Sequence, residues 1–407
     1  MPKDNELIAL NMIRRAGQII RLNLAKQMGI SVSLTSKLTA DLLARGLLRE
    51  TGRSGGESSG RPSDLLAINP QAGYAIGLDI DAGRQIAVMV DLTGEIVATL
   101  DERSPSQGTR QEITANLGSL ATRIIEKAGI SRQKVFGIGL GLRRTVDPVT
   151  GVAHGWPNIP GWEAAWNNFP VREVLQTDIP FPHIMVDDIV RALGVAEANY
   201  GSGQLNEDFV YVLADTGIGM AIMLNGAPYI GFSHIAAEIG HLPVPGEDDP
   251  CACGSRGCLE NHVSTGSILA RLRTRMEALA MRSTFRLNEK EPTIAEVLQA
   301  AADGDKLTYQ LITEAGEQLG MVLAMVVNLL GPRLIIVGGA LSVSEVFLDA
   351  ARRMVKFRSL ERAARVNIIQ PSALDVFGGA RGAATMALNA LFEQEEKNIL
   401  NLANSQK

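Results

Sequence analysis

The sequence predicts an α/β protein in which an N-terminal winged helix-turn-helix domain precedes two successive α/β lobes. Three observations lead to this fold class. Apolar residues recur at helical spacing up to residue 48, short apolar strands begin at Tyr74, and all three cysteines lie between residues 251 and 258. We expect the helical domain to span residues 1–70, the first lobe 71–190 and the second lobe 191–407, with the C-terminal helix packing on the first lobe.

The composition is that of a folded chain with segregated charge. Hydrophobic residues make up 46% of the 407 residues and charged residues 20%, which excludes an intrinsically disordered class. The first seventy residues carry ten Lys or Arg against six Asp or Glu, whereas the remainder carries 29 against 38. A basic head suits a phosphate-rich partner. There is no N-terminal signal segment and no apolar run of spanning length, so we expect a cytoplasmic protein without membrane insertion.

Residues 22–45 have the pattern of a helix-turn-helix. An apolar burst at 22–28, a turn at Gly29 and a third helix over about 32–45 follow one another, with Ser31 available as the N-cap. The inward stripe of the third helix is predicted to be Leu34, Leu38 and Leu42. The opposite face has small polar side chains that can enter a DNA major groove, and it consists of Ser33, Ser36 and Lys37.

A basic stretch rich in glycine and serine follows. Residues 49–66 have the composition of a flexible wing or linker, in which Arg53 and Arg61 could reach a DNA backbone or minor groove. The order of helix, turn, helix and basic wing favours a DNA-binding domain, for which operator DNA is the expected partner. The alternative is a small helical domain that docks another protein.

The rest of the chain predicts two α/β units. In the first, strands are predicted at 74–80, 85–91 and 135–142, with helices at 111–128 and 188–199. In the second, strands are predicted at 209–214, 219–224 and 334–337, with helices near 264–281, 293–302 and 305–330. A cleft between two such lobes is the usual place for a small ligand.

The cysteine cluster predicts one structural zinc site. Nine residues separate His241 from Cys251, one separates Cys251 from Cys253, and four separate Cys253 from Cys258. Four soft or borderline ligands suit tetrahedral Zn²⁺, and they leave no ligand position for water or substrate. The metal is therefore expected to hold a loop in place. Three free thiols beside an incidental histidine are the alternative.

These residues resemble the signature of the ROK family of bacterial repressors and sugar kinases. The resemblance rests on HIAAEIGH at 234–241 and CACGSRGCLE at 251–260. Further blocks agree, namely PNIPGW at 157–162, VDDIVRALGVAEANYG at 186–201, IIVGGAL at 335–341 and GGARGAATMAL at 378–388. With its helical head, the chain resembles the repressor branch (NagC/Mlc/XylR-like transcriptional regulators) over essentially its whole length. The resemblance implies two actin-like, hexokinase-like lobes.

The same resemblance implies a sugar site. It assigns the bonds to sugar hydroxyls to Asn158, Asp188, Glu238, His241 and Glu260. Carboxylates and amides suit adjacent hydroxyls, and His241 could bind zinc through one ring nitrogen and a hydroxyl through the other. Each residue has a plainer alternative, because Asp188 could only cap a helix, Asn158 could only shape a turn, and the two glutamates could be solvated.

Kinase activity is not expected, although Asp188 matches the catalytic base of the family's kinases. The first phosphate loop should resemble D-x-G-G-T-K, but residues 79–84 read DIDAGR, which places Asp81 where phosphate oxygens would lie. The second loop should resemble G-T-G-I-G-G-G, but residues 215–221 read DTGIGMA, which introduces Asp215 and Met220. Two altered loops predict a degenerate kinase body, and an ATP-dependent sugar kinase with an accessory head is the alternative.

The leading hypothesis is a sugar-responsive transcriptional regulator, in this branch most often a repressor of carbohydrate genes. Its effector is expected to be a sugar or sugar phosphate, and Arg143-Arg144, where the family usually has Pro-Gly, could meet an anionic ligand or could simply be solvated. Two heads on one operator require a homodimer or homotetramer, because half-sites lie about 34–36 Å apart per helical turn. A rival is a body that binds a transport protein.

Overall fold

Three helices open the chain where the apolar spacing predicts them: α1 Lys3–Ala16, α2 Arg21–Met28 and α3 Val32–Ala44. This computed structural model describes residues 3–53, 64–81, 84–103, 110–154, 168–178, 181, 183–278 and 291–404. The turn after α2 is made by Gly29, whose φ of 66° favours glycine, and the Ser31 side chain accepts a hydrogen bond from Leu34 N (3.2 Å). The predicted helix-turn-helix and its N-cap are confirmed.

A three-stranded sheet completes the head. Its strands are β1 Ile19–Ile20, β2 Leu48–Arg53 and β3 Asp64–Ile68, in the order β1-β3-β2, and β2 runs antiparallel to β3 with Leu48 opposite Ile68. Residues 49–66 were expected to form a flexible wing or linker, and the structure distinguishes the two, because both ends of this stretch are paired strands and Leu66 is fully buried. The stretch is a wing, and residues 54–63 of it lie outside the described residues.

The buried face of α3 agrees only in part with the predicted stripe of Leu34, Leu38 and Leu42. Leu38 and Leu42 are buried as predicted, whereas Leu34 is half-buried and Thr35 and Thr39 take inward positions. Hydroxyls can occupy such positions when they are hydrogen bonded, and Thr39 Oγ1 accepts a bond from Arg21 Nε (3.2 Å). α3 is thus held by polar as well as apolar contacts.

The remaining elements give the α/β body. Those up to residue 200 are β4 Tyr74–Asp81, β5 Arg84–Asp91, β6 Ile96–Glu102, α4 Arg110–Ala128, β7 Val135–Leu142, β8 Thr145–Asp147, β9 Val152–His154, β10 Phe169–Pro170, α5 Val171–Asp178, β11 His183–Asp188 and α6 Ile189–Tyr200. Those after it are β12 Phe209–Ala214, β13 Ile218–Leu224, β14 Ala227–Pro228, α7 Glu260–Val263, α8 Thr265–Ala278, α9 Ile294–Ala302, α10 Lys306–Leu330, β15 Leu334–Gly338, α11 Glu345–Arg358, α12 Glu361–Val366, β16 Ile368–Pro371 and α13 Gly378–Asn404.

Two five-stranded sheets repeat one strand order. The first runs β6-β5-β4-β7-β11 and the second β14-β13-β12-β15-β16, so each places its third, second, first, fourth and fifth strands side by side. In both sheets the first two strands are antiparallel, and in the second β15 pairs parallel with β12 and with β16. The prediction of two successive α/β units is confirmed, and a further three-stranded sheet of β8, β9 and β10 was not predicted.

By its contacts the chain divides into two units. The first contains Met1–Leu140, Val171–Val186 and Ala383–Lys407, and the second contains Gly141–Pro170 and Asp187–Gly382. The helical head therefore belongs to the same unit as the first sheet. The domain boundaries at residues 70 and 190 stay predictions. No described helix has the length and apolar character needed to cross a membrane.

Helix α13 touches both the sheet and the head within the first unit. A Cβ added at Gly139 in β7 would lie 1.8 Å from Ala383 O, so this close approach requires glycine. Further along α13, Asn389 Oδ1 accepts a hydrogen bond from the Arg14 guanidinium (2.8 Å), which also lies 4.8 Å from the centre of the Phe392 ring. Residues near the end of the chain thus hold α1 in place.

Candidate functional site

The predicted zinc ligands lie together in a loop of the second unit. One ligand atom from each of His241, Cys251, Cys253 and Cys258 lies within 4.8 Å of the others. Cys253 Sγ is 3.6 Å from Cys258 Sγ, and His241 Nδ1 is 3.9 Å from Cys251 Sγ. Sulfur atoms about 2.3 Å from a tetrahedral zinc ion would be about 3.8 Å apart. The cluster therefore has the donor set and the spacing to hold a metal ion.

Chemistry and backbone both fit a cation here. Burial raises the pKa of the Cys258 thiol to about 12, and the two neighbouring thiols raise it as well, so three thiolates this close need a positive charge between them. The loop closes through Gly257, whose φ is 66° and where a Cβ would lie 2.5 Å from Glu247 O. A side chain at that position would open the loop.

Asp188 lies at the start of α6, where β11 ends. Its Oδ1 accepts a hydrogen bond from Val190 N (2.6 Å), so it caps the helix, as the plainer alternative holds. The capping hydrogen bond does not explain the raised pKa of the Asp188 carboxyl group, because that bond lowers the pKa. Burial raises the pKa of Asp188 to about 6, and the nearby Arg191 opposes this rise. A carboxyl held in this way can accept or donate a hydrogen bond near neutral pH.

Glu238 and Glu260 share this environment. Burial and the Asp188 charge raise the pKa of Glu238 to about 7, with Arg191 opposing and Glu260 adding to the rise. Glu260, the first residue of α7, accepts a hydrogen bond from Ile218 N at Oε2 (3.0 Å). Because the charges of Asp188 and Glu260 both raise the pKa of Glu238, we treat these three residues as one acidic group. Both glutamates are half-buried.

The backbone around Glu238 is strained. Ala237 has a φ of 77°, a conformation that side chains other than glycine adopt at a cost of about 1–2 kcal/mol. Gly240, two residues beyond Glu238, would bring a Cβ to 2.2 Å from Ile218 O. Ala237 and Gly240 thus belong to a tight turn that contains Glu238 and leads directly to His241. Backbone strain of this kind concentrates at functional sites.

An ion pair that the sequence analysis missed supports Asp188. The Arg191 guanidinium and Asp187 are both buried, with Arg191 Nε 2.7 Å from Asp187 Oδ1, and an NH2 group of Arg191 donates to Val146 O (2.8 Å). Asp187 Oδ1 also accepts from Asp188 N (2.7 Å). The only signal in the sequence was the spacing of an acid and an arginine four residues apart at a helix start.

The altered phosphate loop carries a second ion pair. Asp215 follows β12, and its Oδ2 lies 3.8 Å from an NH1 group of Arg143, which follows β7. Arg143 also opposes the rise in the pKa of Asp188. Arg143 is thus paired within the acidic group and not simply solvated, and the side chain of neighbouring Arg144 is buried. In the other altered loop, Asp81 is the last residue of β4 and pairs in register with Arg84, the first residue of β5.

The other predicted residues are distributed as follows. Ser33, Ser36 and Lys37 are all exposed on the face of α3 opposite Leu38 and Leu42. Of the remaining predicted residues, Asn158 and Arg61 lie outside the described residues. Arg53 is the last residue of β2, and its side chain also lies outside the description.

Comparisons with known proteins find relatives that align with most of the chain. A xylose repressor of Caldicellulosiruptor bescii is 26% identical over 357 residues, which cover 87% of this chain and 88% of that protein. The transcriptional dual regulator NagC of Escherichia coli K12 is 27% identical over 366 residues, 89% of this chain and 87% of that protein.

Among solved structures, a ROK family transcriptional regulator, a homologue of the E. coli MLC protein, superposes with a TM-score of 0.81 and 24% identity, covering 96% of each chain. That likeness confirms the fold, including the helical head before two sugar-kinase-like lobes. The model of the ROK family matches residues 75–390. The chain therefore belongs to the ROK family.

Proposed function

We propose that this protein is a sugar-responsive transcriptional regulator that represses carbohydrate genes. The observation that carries the proposal is a winged helix-turn-helix joined to a ROK body in one chain. Relatives aligned over most of their length are named as xylose and N-acetylglucosamine repressors, which supports the same role here. Operator DNA and a sugar are then the two ligands, and a homodimer or homotetramer supplies two heads to one operator.

The DNA-reading face is assigned to α3 and the wing. Ser33, Ser36 and Lys37 are exposed together, which is what entry of a helix into the major groove requires. Arg53 and Arg61 in the wing are assigned to the backbone or minor groove. Binding to the DNA upstream of its own gene, measured by fluorescence anisotropy at several salt concentrations, tests this assignment. The face is wrong if Ser36→Ala and Lys37→Ala both bind as the unaltered protein does.

The effector site is assigned to Asp188, Glu238, His241 and Glu260, with Asn158 as a fifth residue. The raised pKa values of Asp188 and Glu238 let each carboxyl group donate when protonated and accept when ionised, which suits the mixed donors and acceptors of a sugar ring. His241 Nδ1 faces Cys251 Sγ, so Nε2 is the nitrogen that would bond a hydroxyl. A structural Zn²⁺ held by His241 and the three cysteines would orient that imidazole.

The effector is assigned as a neutral sugar. The proposed effector site contains more carboxylates than cations. Two arginines, Arg143 and Arg191, each pair with one of five carboxylates: Asp187, Asp188, Asp215, Glu238 and Glu260. An added phosphate or acid group would meet this excess of negative charge. A thermal-shift panel of free, phosphorylated and acidic sugars tests this assignment, and we expect the free sugars to give the larger shift.

Loss of kinase activity is the second part of the proposal. In the loop after β12, Asp215 stands where the second phosphate loop of the family's kinases has a glycine, and its carboxylate lies 3.8 Å from Arg143. Repulsion between a carboxylate and a phosphate at close range costs on the order of 1–4 kcal/mol at a surface-like dielectric. The alternative, a sugar kinase with an accessory head, draws on Asp188 at the position of the catalytic base. Measurable ATP consumption with hexoses or amino sugars would establish that alternative.

Helix α13 is assigned to the coupling between sugar and DNA. Its first turns pack against α6, where a Cβ at Gly382 would lie 1.9 Å from Ala192 O, and α6 begins at Asp188. Its later residues hold α1 of the head. A sugar that shifts α6 would then change the spacing of two heads, and a coupling free energy of about 1–3 kcal/mol suffices. A flat thermal-shift panel would favour a protein partner instead of a sugar.

A further inference from the structure

A second group of metal-binding side chains lies next to the cysteine cluster. It consists of Glu247 and Asp249, from the loop between His241 and Cys251, and His262 in α7. One ligand atom from each lies within 4.8 Å of the other two. None of the three belongs to the zinc signature or to the proposed sugar site.

The imidazole is buried and points into this group. His262 is 6% exposed, and its Nε2 atom makes no hydrogen bond within the described part of the chain. That nitrogen is nevertheless 3.3 Å from Asp249 Oδ2. The two atoms are close without the alignment of a hydrogen bond. Two ligands about 2.1 Å from a shared cation lie about 3.0–3.4 Å apart, which matches the observed distance.

Glu247 is held beside the imidazole from another direction. Its Oε2 is 4.0 Å from His262 Nδ1, and its Oε1 accepts a hydrogen bond from Gln318 Nε2 in α10 (3.1 Å). The Gln318 amide therefore fixes this carboxylate from outside, as the partners of metal-bound carboxylates do. The Arg271 side chain donates from its NH1 group to His262 O (3.2 Å), and it also pairs with Glu314.

We propose that Glu247, Asp249 and His262 form a binding site for a divalent transition-metal cation, separate from the Cys251, Cys253 and Cys258 site. One imidazole and two carboxylates suit Zn²⁺ or Mn²⁺, and the absence of thiolate makes the site harder than its neighbour. Asp249 is largely exposed, so water can complete the coordination shell. A cation bound here ties the loop to α7 and, through Gln318, to α10.

The ordinary alternative is a charged imidazole between two carboxylates. In that case His262 carries two protons and no metal binds, since a protonated nitrogen has no lone pair to donate. The two readings give different metal contents, so binding distinguishes them directly.

The test is metal binding by the full-length protein. After equilibration with Zn²⁺ and removal of the excess, bound zinc per chain is measured by inductively coupled plasma mass spectrometry. Separately, protein with its cysteine site filled is titrated with Mn²⁺, and free Mn²⁺ is followed by electron paramagnetic resonance. We expect two zinc ions per chain, and one Mn²⁺ bound per zinc-filled chain.

Three variants make the result specific. Asp249→Asn and His262→Gln should each lower the Mn²⁺ affinity at least about tenfold and leave one zinc ion per chain. Asp248→Asn is the matched control, because Asp248 lies on the same loop but pairs with Arg256 (2.7 Å), and it should bind as the unaltered protein does. If His262→Gln fails to fold, the exposed and isosteric Asp249→Asn still decides.

Two outcomes overturn the proposal. One is a single zinc ion and no bound Mn²⁺ in the unaltered protein. The other is Mn²⁺ binding that Asp249→Asn leaves unchanged, or that Asp248→Asn weakens equally, which would indicate unspecific binding to surface carboxylates.

Discussion

Replacement of Glu238 by glutamine should make the protein more stable at alkaline pH. Burial and the charge of Asp188 raise the pKa of Glu238 from 4.5 to about 7. The folded state therefore holds this proton more tightly than the unfolded chain does. The free energy of unfolding falls as the pH rises from about 4.5 to 7, and the loss from this group is about 3 kcal/mol. An amide cannot ionise, so Glu238→Gln is spared that loss.

Urea unfolding followed by far-ultraviolet circular dichroism from pH 5 to pH 8.5 measures the effect. We expect the two proteins to be similar at pH 5 and Glu238→Gln to be more stable by about 3 kcal/mol at pH 8. Glu317→Gln, at an exposed position of α10, is the control and should follow the unaltered protein. The reasoning is refuted if Glu238→Gln loses stability with pH as steeply as the unaltered protein. The same variant should respond less to sugar.

Three further predictions concern the ion pair, the metal and the DNA face. Arg191→Met should destabilise the second unit by about 3–5 kcal/mol, because it leaves the buried Asp187 carboxylate unpaired, and adding Asp187→Asn should recover most of the loss in the same urea assay. Cys258→Ala should lose the bound metal in a zinc assay and weaken the sugar response, while DNA affinity without sugar stays the same; a full response without zinc would contradict this. Lys37→Ala should lower the slope of log affinity against log salt by about 1 in anisotropy titrations, whereas Lys134→Ala, outside the head, should not change it.

Features set by neighbours in the sequence were predictable. Ser31, Gly29 and the apolar positions of α3 determine the helix-turn-helix within about twenty residues, and the structure has it at the predicted place. The four metal-binding side chains lie within eighteen residues, so their spacing alone indicated a site. Strands β4, β5, β7 and β12 were predicted because they are short, apolar and bounded by turn residues.

Features that join distant parts of the chain were not predictable. Asp215 was recognised as a departure from a phosphate loop, but its ion pair with Arg143 joins residues 72 positions apart. The contact between Val146 O and Arg191 likewise depends on the fold, and so does the group of His262 with Glu247 and Asp249. The sequence left wing and linker open for residues 49–66, because a high glycine and serine content conceals the strand pairing at the two ends.

The contact between α1 and α13 has a genetic consequence. Ala9 and Ile13 of α1 are fully buried, and Asn389 and Phe392 are among the residues that hold this helix. A stop codon near position 388 would remove those contacts and uncover an apolar face of the head, although the metal ligands and the acidic group would be translated intact. Nonsense mutations near codon 388 should therefore appear as derepressed alleles, even though the lesion lies far in sequence from the helix-turn-helix.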